Sequence, residues 1–271
     1  MSDLPFTVTD SRGRTITLSS APRRIVSLVP SITELLADLD LHREVVGITR
    51  FCERPEDWRT AKTLVGGTKS VKTGLVAELQ PDLVLANLEE NEKEDVEAMD
   101  DWAPVYVTNV KTMPDALSMI RTVGRLTATG DRARPLADRI ARRFAALPDG
   151  PPLRAVYLIW RDPYMTVGGD TFIHDVMTYG GFENVYGGDT RYPEVSLDEL
   201  ARRDLDAILC SSEPFPFHQK ERFTADLRQA LPDTPIEVVD GQAFSWYGSR
   251  LLETPAVLED VRAAVQGHPA P

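Results

Sequence analysis

Apolar residues in this chain fall into short strand-like runs alternating with stretches of helical spacing, and the alternation runs twice. Arg24–Leu28, Asp82–Ala86 and Pro104–Val107 read as buried strands in the first half. Arg154–Leu158, Asp206–Cys210 and Pro235–Val238 repeat them 130, 124 and 131 residues on. Helical patterns lie between: Ile32–Leu39, Thr73–Leu79 and Glu92–Met99, then Phe172–Met177, Ser196–Arg203 and Arg222–Leu231. Strands separated by helices pair in parallel, so the pattern predicts an α/β protein of two Rossmann-like lobes with parallel sheets.

Met113–Gly130 has helical spacing and a glycine stop. Asp131–Leu147 reads as a further helix, capped by Asp131, about 25 Å long at 1.5 Å per residue and closed by Pro148–Pro152. The expected organisation is an N-terminal lobe over 1–130, a connecting helix over 131–148 and a C-terminal lobe over 149–271. A single stiff helix between lobes would limit hinge closure. Thr7–Asp10 and Thr15–Leu18 read as a leading hairpin, and Glu253–Val265 as a closing helix.

Composition narrows the partners. In 271 residues, 42 acidic side chains exceed 30 basic ones, for a net charge of −12. That field repels phosphate backbones and anionic membrane surfaces, which excludes nucleic acid as the expected partner. Cys52 and Cys210 lie one in each half and are expected to be free. His42, His174, His218 and His268 are scattered, so no imidazole metal site is expected. The N-terminus lacks a basic-then-apolar leader, and no run approaches 18 apolar residues. The chain is therefore expected not to span a membrane. It reads as cytoplasmic as it stands, and as periplasmic or extracellular if a leader was removed. A monomer is expected.

The candidate chemistry is that of binding. No nucleophile elbow, phosphate-loop, dinucleotide or zinc-protease motif occurs, so no catalytic residue is expected. Instead Trp160–Asp170 (WRDPYMTVGGD) and Ser245–Arg250 (SWYGSR) each follow a strand-like run. Ligands of open parallel sheets sit at the carboxyl ends of strands. Indole and phenol faces with Arg donors there suit a large flat or polyanionic small molecule, although such residues also anchor ordinary loops. Ser212–Phe217 (SEPFPF) is stiff and aromatic, fit for a cleft rim or for core anchoring. Glu89–Glu92 reads equally as a cleft wall or a solvated helix start. Asp170 reads as a helix N-cap, His174 as a packed residue rather than a metal ligand, and Cys52 as a small buried hydrophobe.

These elements, in this order, resemble the helical-backbone receptors for metal chelates, the substrate-binding proteins of ABC importers for cobalamin, siderophores and haem. The resemblance spans roughly residues 5 to 265. It is carried by FTVTDSRGRTITL, RIVSLVPSITELLADL, VVGITRFCERP, VGGTKS, LQPDLVLAN, GGDTFIHDVMTYGG with ENVYGG, and RYPEVSLDELARRDLDAIL. It is nearest to the cobalamin branch. It implies a ligand cleft between the lobes, with Pro30, Ser31, Phe51, Arg54, Glu89, Glu90 and Asn91 from the first lobe. From the second it implies Trp160, Arg161, Tyr164, Tyr192, Glu213, Phe215, Trp246, Tyr247 and Arg250. It further implies a non-enzymatic protein without cofactor or resident metal, whose partners are a metal chelate such as cobalamin and an ABC permease. The permease-docking acid is present as Asp198 on one lobe but is Gly74 on the other, and Gly66–Ser70 lacks the aromatic that cobalamin receptors place there. An iron–siderophore or haem cargo, suggested by Arg54, Arg161 and Arg250, stands beside the corrinoid reading. So does a cytosolic enzyme or metal-handling protein on the same scaffold.

Overall fold

The computed structural model describes residues 5–267. His268 lies outside the described residues. Two parallel sheets organise the chain. Strands β1 (Ile25–Ser27), β2 (Val45–Ile48), β3 (Thr63–Leu64), β4 (Leu83–Asn87) and β5 (Val105–Thr108) form the first, in the spatial order β3-β2-β1-β4-β5. Strands β6 (Leu153–Leu158), β7 (Phe182–Asn184), β8 (Ala207–Ser211) and β9 (Ile236–Val239) form the second, ordered β7-β6-β8-β9.

All five residues of β4 and all five of β8 are buried. A central parallel strand is covered on both faces, so its sequence is a continuous apolar run rather than an alternating one. One core gathers Val26, Val84, Ala86, Val105 and Val107 with Val96 and Met99 of helix Lys93–Met99. The other gathers Val156, Leu158, Ile208 and Cys210 with Leu227 of helix Arg222–Ala230. The leading hairpin, Phe6–Thr9 with Thr15–Leu18, is fastened to the first sheet by Ser11 N–H on Val107 O (3.0 Å) and to the end of helix Lys93–Met99 by Arg12 on Asp100 (2.7 Å).

The chain divides into two compact units. The first holds the residues up to Val110, Pro114–Ala141 and Tyr247–Arg250. The second holds Lys111–Met113, Arg142–Trp246 and the residues from Leu251 onward. Packing thus departs from the boundaries expected at 130 and 149, because helix Gly130–Ala145 contributes to both units.

Three local expectations are corrected. Gly130 does not stop a helix. Helix Met113–Leu126 ends earlier, the chain turns through Ala128 at φ 58°, and Gly130 opens the next helix. Asp131 consequently sits within that helix's first turn, where the dipole favours it, instead of capping it. The helix expected over Ser196–Arg203 is a short Leu197–Leu200, capped by Ser196 Oγ accepting from Glu199 N–H (3.2 Å).

Candidate functional site

In the first unit, the carboxyl ends of β1, β2 and β4 carry the residues singled out above. Behind β1, Pro30 begins helix Pro30–Asp38 and is buried there with Ser31. Thr33 Oγ1 lies 2.8 Å from Ser27 Oγ, 2.9 Å from Val29 O and 3.1 Å from Cys52 Sγ, and Thr49 Oγ1 lies 3.3 Å from the same sulfur. Cys52 is fully buried and burial pushes its thiol up, so it serves as packing rather than as a thiolate ligand. Beyond it Phe51 is exposed, with 48% of its surface free, and Arg54 is exposed too.

Behind β4, Asn91 acts as a brace. Its Oδ1 accepts from Asn87 N–H (2.9 Å) and its Nδ2 donates to Thr68 O (3.0 Å) and Leu28 O (3.3 Å). Asn87 Oδ1 in turn accepts from the N–H groups of Glu89 (2.8 Å) and Glu90 (3.2 Å). The two amides fix the course of the Leu88–Asn91 turn, with both side-chain N–H groups of Asn91 engaged by backbone carbonyls. Glu89 and Glu90 are half-buried at its crest.

Tyr247 and Arg250, expected from the second lobe, pack in the first unit. Tyr247 O–H donates to Glu90 Oε1 (3.2 Å), and burial, followed by Glu90, raises its phenol. Ser31 Oγ, buried with no hydrogen bond of regular geometry, lies beside that phenol. Arg250 grips Glu34 with two nitrogens, Nη2 to Oε1 at 2.5 Å and Nε to Oε2 at 3.3 Å. Burial pushes the Glu34 carboxyl up although Arg250 pulls it down. The chain can lie this close because residue 248 is glycine: a Cβ there would stand 2.8 Å from Ser31 O. Gly248→Ala is expected to cost about 1–3 kcal/mol in stability, measured by urea unfolding, since backbone must move to admit the methyl.

In the second unit, the segment behind β6 is tied down by a residue the sequence reading passed over. Asp226, on helix Arg222–Ala230, accepts from Arg161 Nη2 (2.9 Å) at one oxygen and from Tyr164 O–H (2.8 Å) at the other. Arg161 Nη1 donates to Asp162 (2.6 Å). Burial is the largest single influence on Asp226 and would raise it, but the bonds from Tyr164 and Arg161 together hold it below the ordinary carboxylate range. A carboxylate with a depressed folded pKa contributes stability above the ordinary range and loses it as pH falls through the folded value. Asp226→Asn is therefore expected to be less stable than wild type near pH 6. The gap between their denaturation midpoints should close as pH is taken down through and below the ordinary carboxylate range.

That clamp presents Trp160, 40% of whose surface is free. Its indole stands edge-on to Phe215, centroids 5.7 Å apart, and Phe215 packs on Phe217 (4.7 Å) and Phe223 (4.9 Å). Behind β9, Trp246 is buried and its Nε1–H donates to Glu213 Oε1 (2.9 Å), which also accepts from Ser245 Oγ (3.2 Å). Burial raises the Glu213 carboxyl, opposed by hydrogen bonds from Trp246, Gln242 and Ser245. Tyr192 is half-buried, with the Arg191 guanidinium 5.4 Å from its ring centroid.

Asp170 does not cap helix Phe172–Tyr179. Thr171 does, its Oγ1 accepting from His174 N–H (3.3 Å), while Asp170 accepts from Arg191 N–H (2.6 Å) and pairs with Lys111 (3.4 Å). The shorter threonine side chain reaches the helix N–H that Asp170, one residue earlier and turned to Arg191, does not. His174 Nδ1 lies 3.3 Å from Asn184 Nδ2 and packs near Gly187. Among the described residues no group of three or more His, Cys, Asp or Glu is placed to hold a metal ion, and no helix is long and apolar enough to cross a membrane.

The chain belongs to the family described as Periplasmic binding protein, which it matches over residues 25–235. A Vitamin B12-binding protein of Vibrio campbellii is 23% identical over 195 residues, covering 70% of each chain. A Cobalamin-binding protein of Halobacterium salinarum is 29% identical over 216 residues, covering 76% of this chain and 58% of its own length. Among solved structures, the periplasmic Vitamin B12 binding protein of Vibrio cholerae superposes with a TM-score of 0.78 at 17% identity, over 91% of this chain and 99% of its own. A periplasmic heme-binding protein from Roseiflexus follows at 0.77 and 20% identity, over 91% and 98%. The fold is that of two-lobed binding proteins.

Proposed function

We propose that this chain is a non-enzymatic binding protein for a cobalamin-like corrinoid, which it takes at the carboxyl ends of its two sheets and passes to an ABC permease. The observation that carries the choice of ligand is the pairing of the arginines. Arg161 is engaged by Asp162 and Asp226, and Arg250 by Glu34. A chelate bearing carboxylates, such as haem, would find these two forks occupied, and of the three arginines that suggest an anionic cargo only Arg54 stays exposed. A corrin rimmed with uncharged amides asks instead for flat apolar surface and scattered polar groups. Phe51 and Trp160 offer the first, and Glu89, Glu90 and Tyr192 the second. The relatives named for vitamin B12 and cobalamin support the same reading.

For the permease, Asp198 is exposed at the start of its short helix, while Gly74 is exposed with open space about it. Docking would then lean on Asp198 more than on a matched pair of acids. A choice among coloured chelates tests the ligand. Incubated with equal amounts of cyanocobalamin, haemin and a ferric hydroxamate, the protein is expected to carry the corrinoid spectrum through gel filtration. Co-elution of haem or iron chelate in its place would overturn the assignment.

A further inference from the structure

We infer that neutral His174 is the positioning residue for the loop that brings Tyr192 to the ligand, so that the protein holds its cargo at neutral pH and releases it in acid. The inference rests on the corrinoid reading above and adds a regulation of that same site.

The loop follows β7, runs over Val185–Pro193 within the second unit and contains no helix or strand. Its far part lies against the segment behind β6 through three backbone bonds. Thr166 N–H donates to Pro193 O (3.0 Å), Gly168 N–H to Arg191 O (2.8 Å) and Gly169 N–H to Asp189 O (2.9 Å). Glycine at 168 permits the approach, since a Cβ there would stand 2.5 Å from Asp189 O. Arg191, next to Tyr192, holds φ 61° and is gripped through its N–H by Asp170 Oδ1 (2.6 Å). A non-glycine residue in that region is strained, and it persists only where its surroundings over-determine it. The loop therefore depends on its anchors.

The near anchor is Asn184, which closes β7 and is buried. Its Oδ1 accepts from Tyr186 N–H (3.0 Å) and its Nδ2 donates to Val167 O (2.9 Å). Those two backbone partners leave the amide one orientation, so the nitrogen 3.3 Å from His174 Nδ1 is a donor. Nδ1 is then the acceptor, and the imidazole carries its single proton on Nε2. A second proton would set N–H against N–H at Asn184. The ring also touches the loop itself, for a Cβ at Gly187 would stand 3.1 Å from His174 Cε1. His174 is half-buried in the first turn of helix Phe172–Tyr179, where the dipole opposes a cation. The charged groups on the elements around it are otherwise engaged or exposed. Asp170 pairs with Lys111 (3.4 Å), Asp175 accepts from Met113 N–H (2.6 Å), Glu183 pairs with Arg154 (3.0 Å) and Asp189 is exposed. Among the described residues no carboxylate is paired with the imidazole to answer its charged form. Acid therefore removes an anchor and supplies none in its place.

The test is calorimetry with cyanocobalamin on the full chain at pH 7.5 and 5.5, for wild type, His174→Gln and His174→Ala. Glutamine offers Asn184 an uncharged acceptor at either pH, and alanine offers none. A free imidazole titrates at about pH 6.5, so a site that needs the neutral form is expected to weaken about tenfold from pH 7.5 to 5.5 in wild type. The Gln variant should change by less than about threefold over the same span. The Ala variant should bind at least about threefold more weakly than wild type already at pH 7.5. Thermal melts at both pH values confirm that each protein folds. A wild type that does not weaken overturns the inference. So does a loss that the Gln variant shares, since the titrating group then lies elsewhere, and so does an Ala variant equal to wild type at pH 7.5. Amide exchange at Gly169 and Arg191 in the ligand-free protein, corrected for the intrinsic rate at each pH, reads the loop without any corrinoid. Should cyanocobalamin bind at neither pH, the corrinoid reading fails and exchange alone decides. Protection lost by wild type at pH 5.5 but kept by the Gln variant upholds the positioning role of His174, and equal protection in the two removes it.

Discussion

Changing Arg250 to methionine is expected to lower the unfolding free energy by about 3 kcal/mol, because the change strands a carboxylate that is mostly out of water. The Arg250 side chain is 6% exposed and Glu34 15%, and the two share two hydrogen bonds. Removing one member of such a pair leaves the other charge without water and without a partner, which costs far more than the net worth of the intact pair. The double variant Arg250→Met, Glu34→Leu should recover much of the loss, since apolar groups of similar size fill the space without a charge. Chemical denaturation of the three proteins checks this. A single variant as stable as wild type would show that the pair is solvated. Recovery in the double variant also separates loss of the charge from loss of the packing supplied by the arginine stem.

Trp160→Ala is expected to weaken corrinoid affinity at least tenfold, about 1.4 kcal/mol, while changing stability by less than about 1 kcal/mol. Its indole stands 40% exposed on the Asp226 clamp, so the fold loses little when it is trimmed, but a ligand loses a preformed flat surface. Phe51→Ala, at 48% exposure, should act in the same sense. Trp102 is a control: equally exposed at 41%, it precedes β5 rather than following a strand, and Trp102→Ala should leave binding as it was. Trp246→Ala is a poorer probe, because that side chain is buried against Glu213 and its loss confounds binding with folding.

The central strands were legible because β4 and β8 are buried along their whole length, and burial on both faces leaves apolar residues to read up to the closing Asn87 and Ser211. The doubling of the lobes was legible for the same reason. Tyr247–Arg250 was not. Periodicity tells which face of an element is apolar, and a loop has no period, so nothing local says which unit it will join. Glu34 and Arg250 are 216 residues apart, and Asp226 is 65 from Arg161. One signal was present: Glu34 sits among apolar residues inside Ile32–Leu39, where Asp38 is the only other acid, and a carboxylate there must find a partner. The same principle bears on the arginines. Near aromatics in a sequence an arginine reads as free to bind an anion. In the fold Arg161 and Arg250 had to be satisfied first, and carboxylates from distant elements do so.

Calorimetric titration of the full chain with cyanocobalamin tests the central proposal most directly. The expected result is one site per chain with a dissociation constant below about 10 μM, some 7 kcal/mol of binding free energy. Absence of saturable heat up to about 100 μM ligand would contradict it.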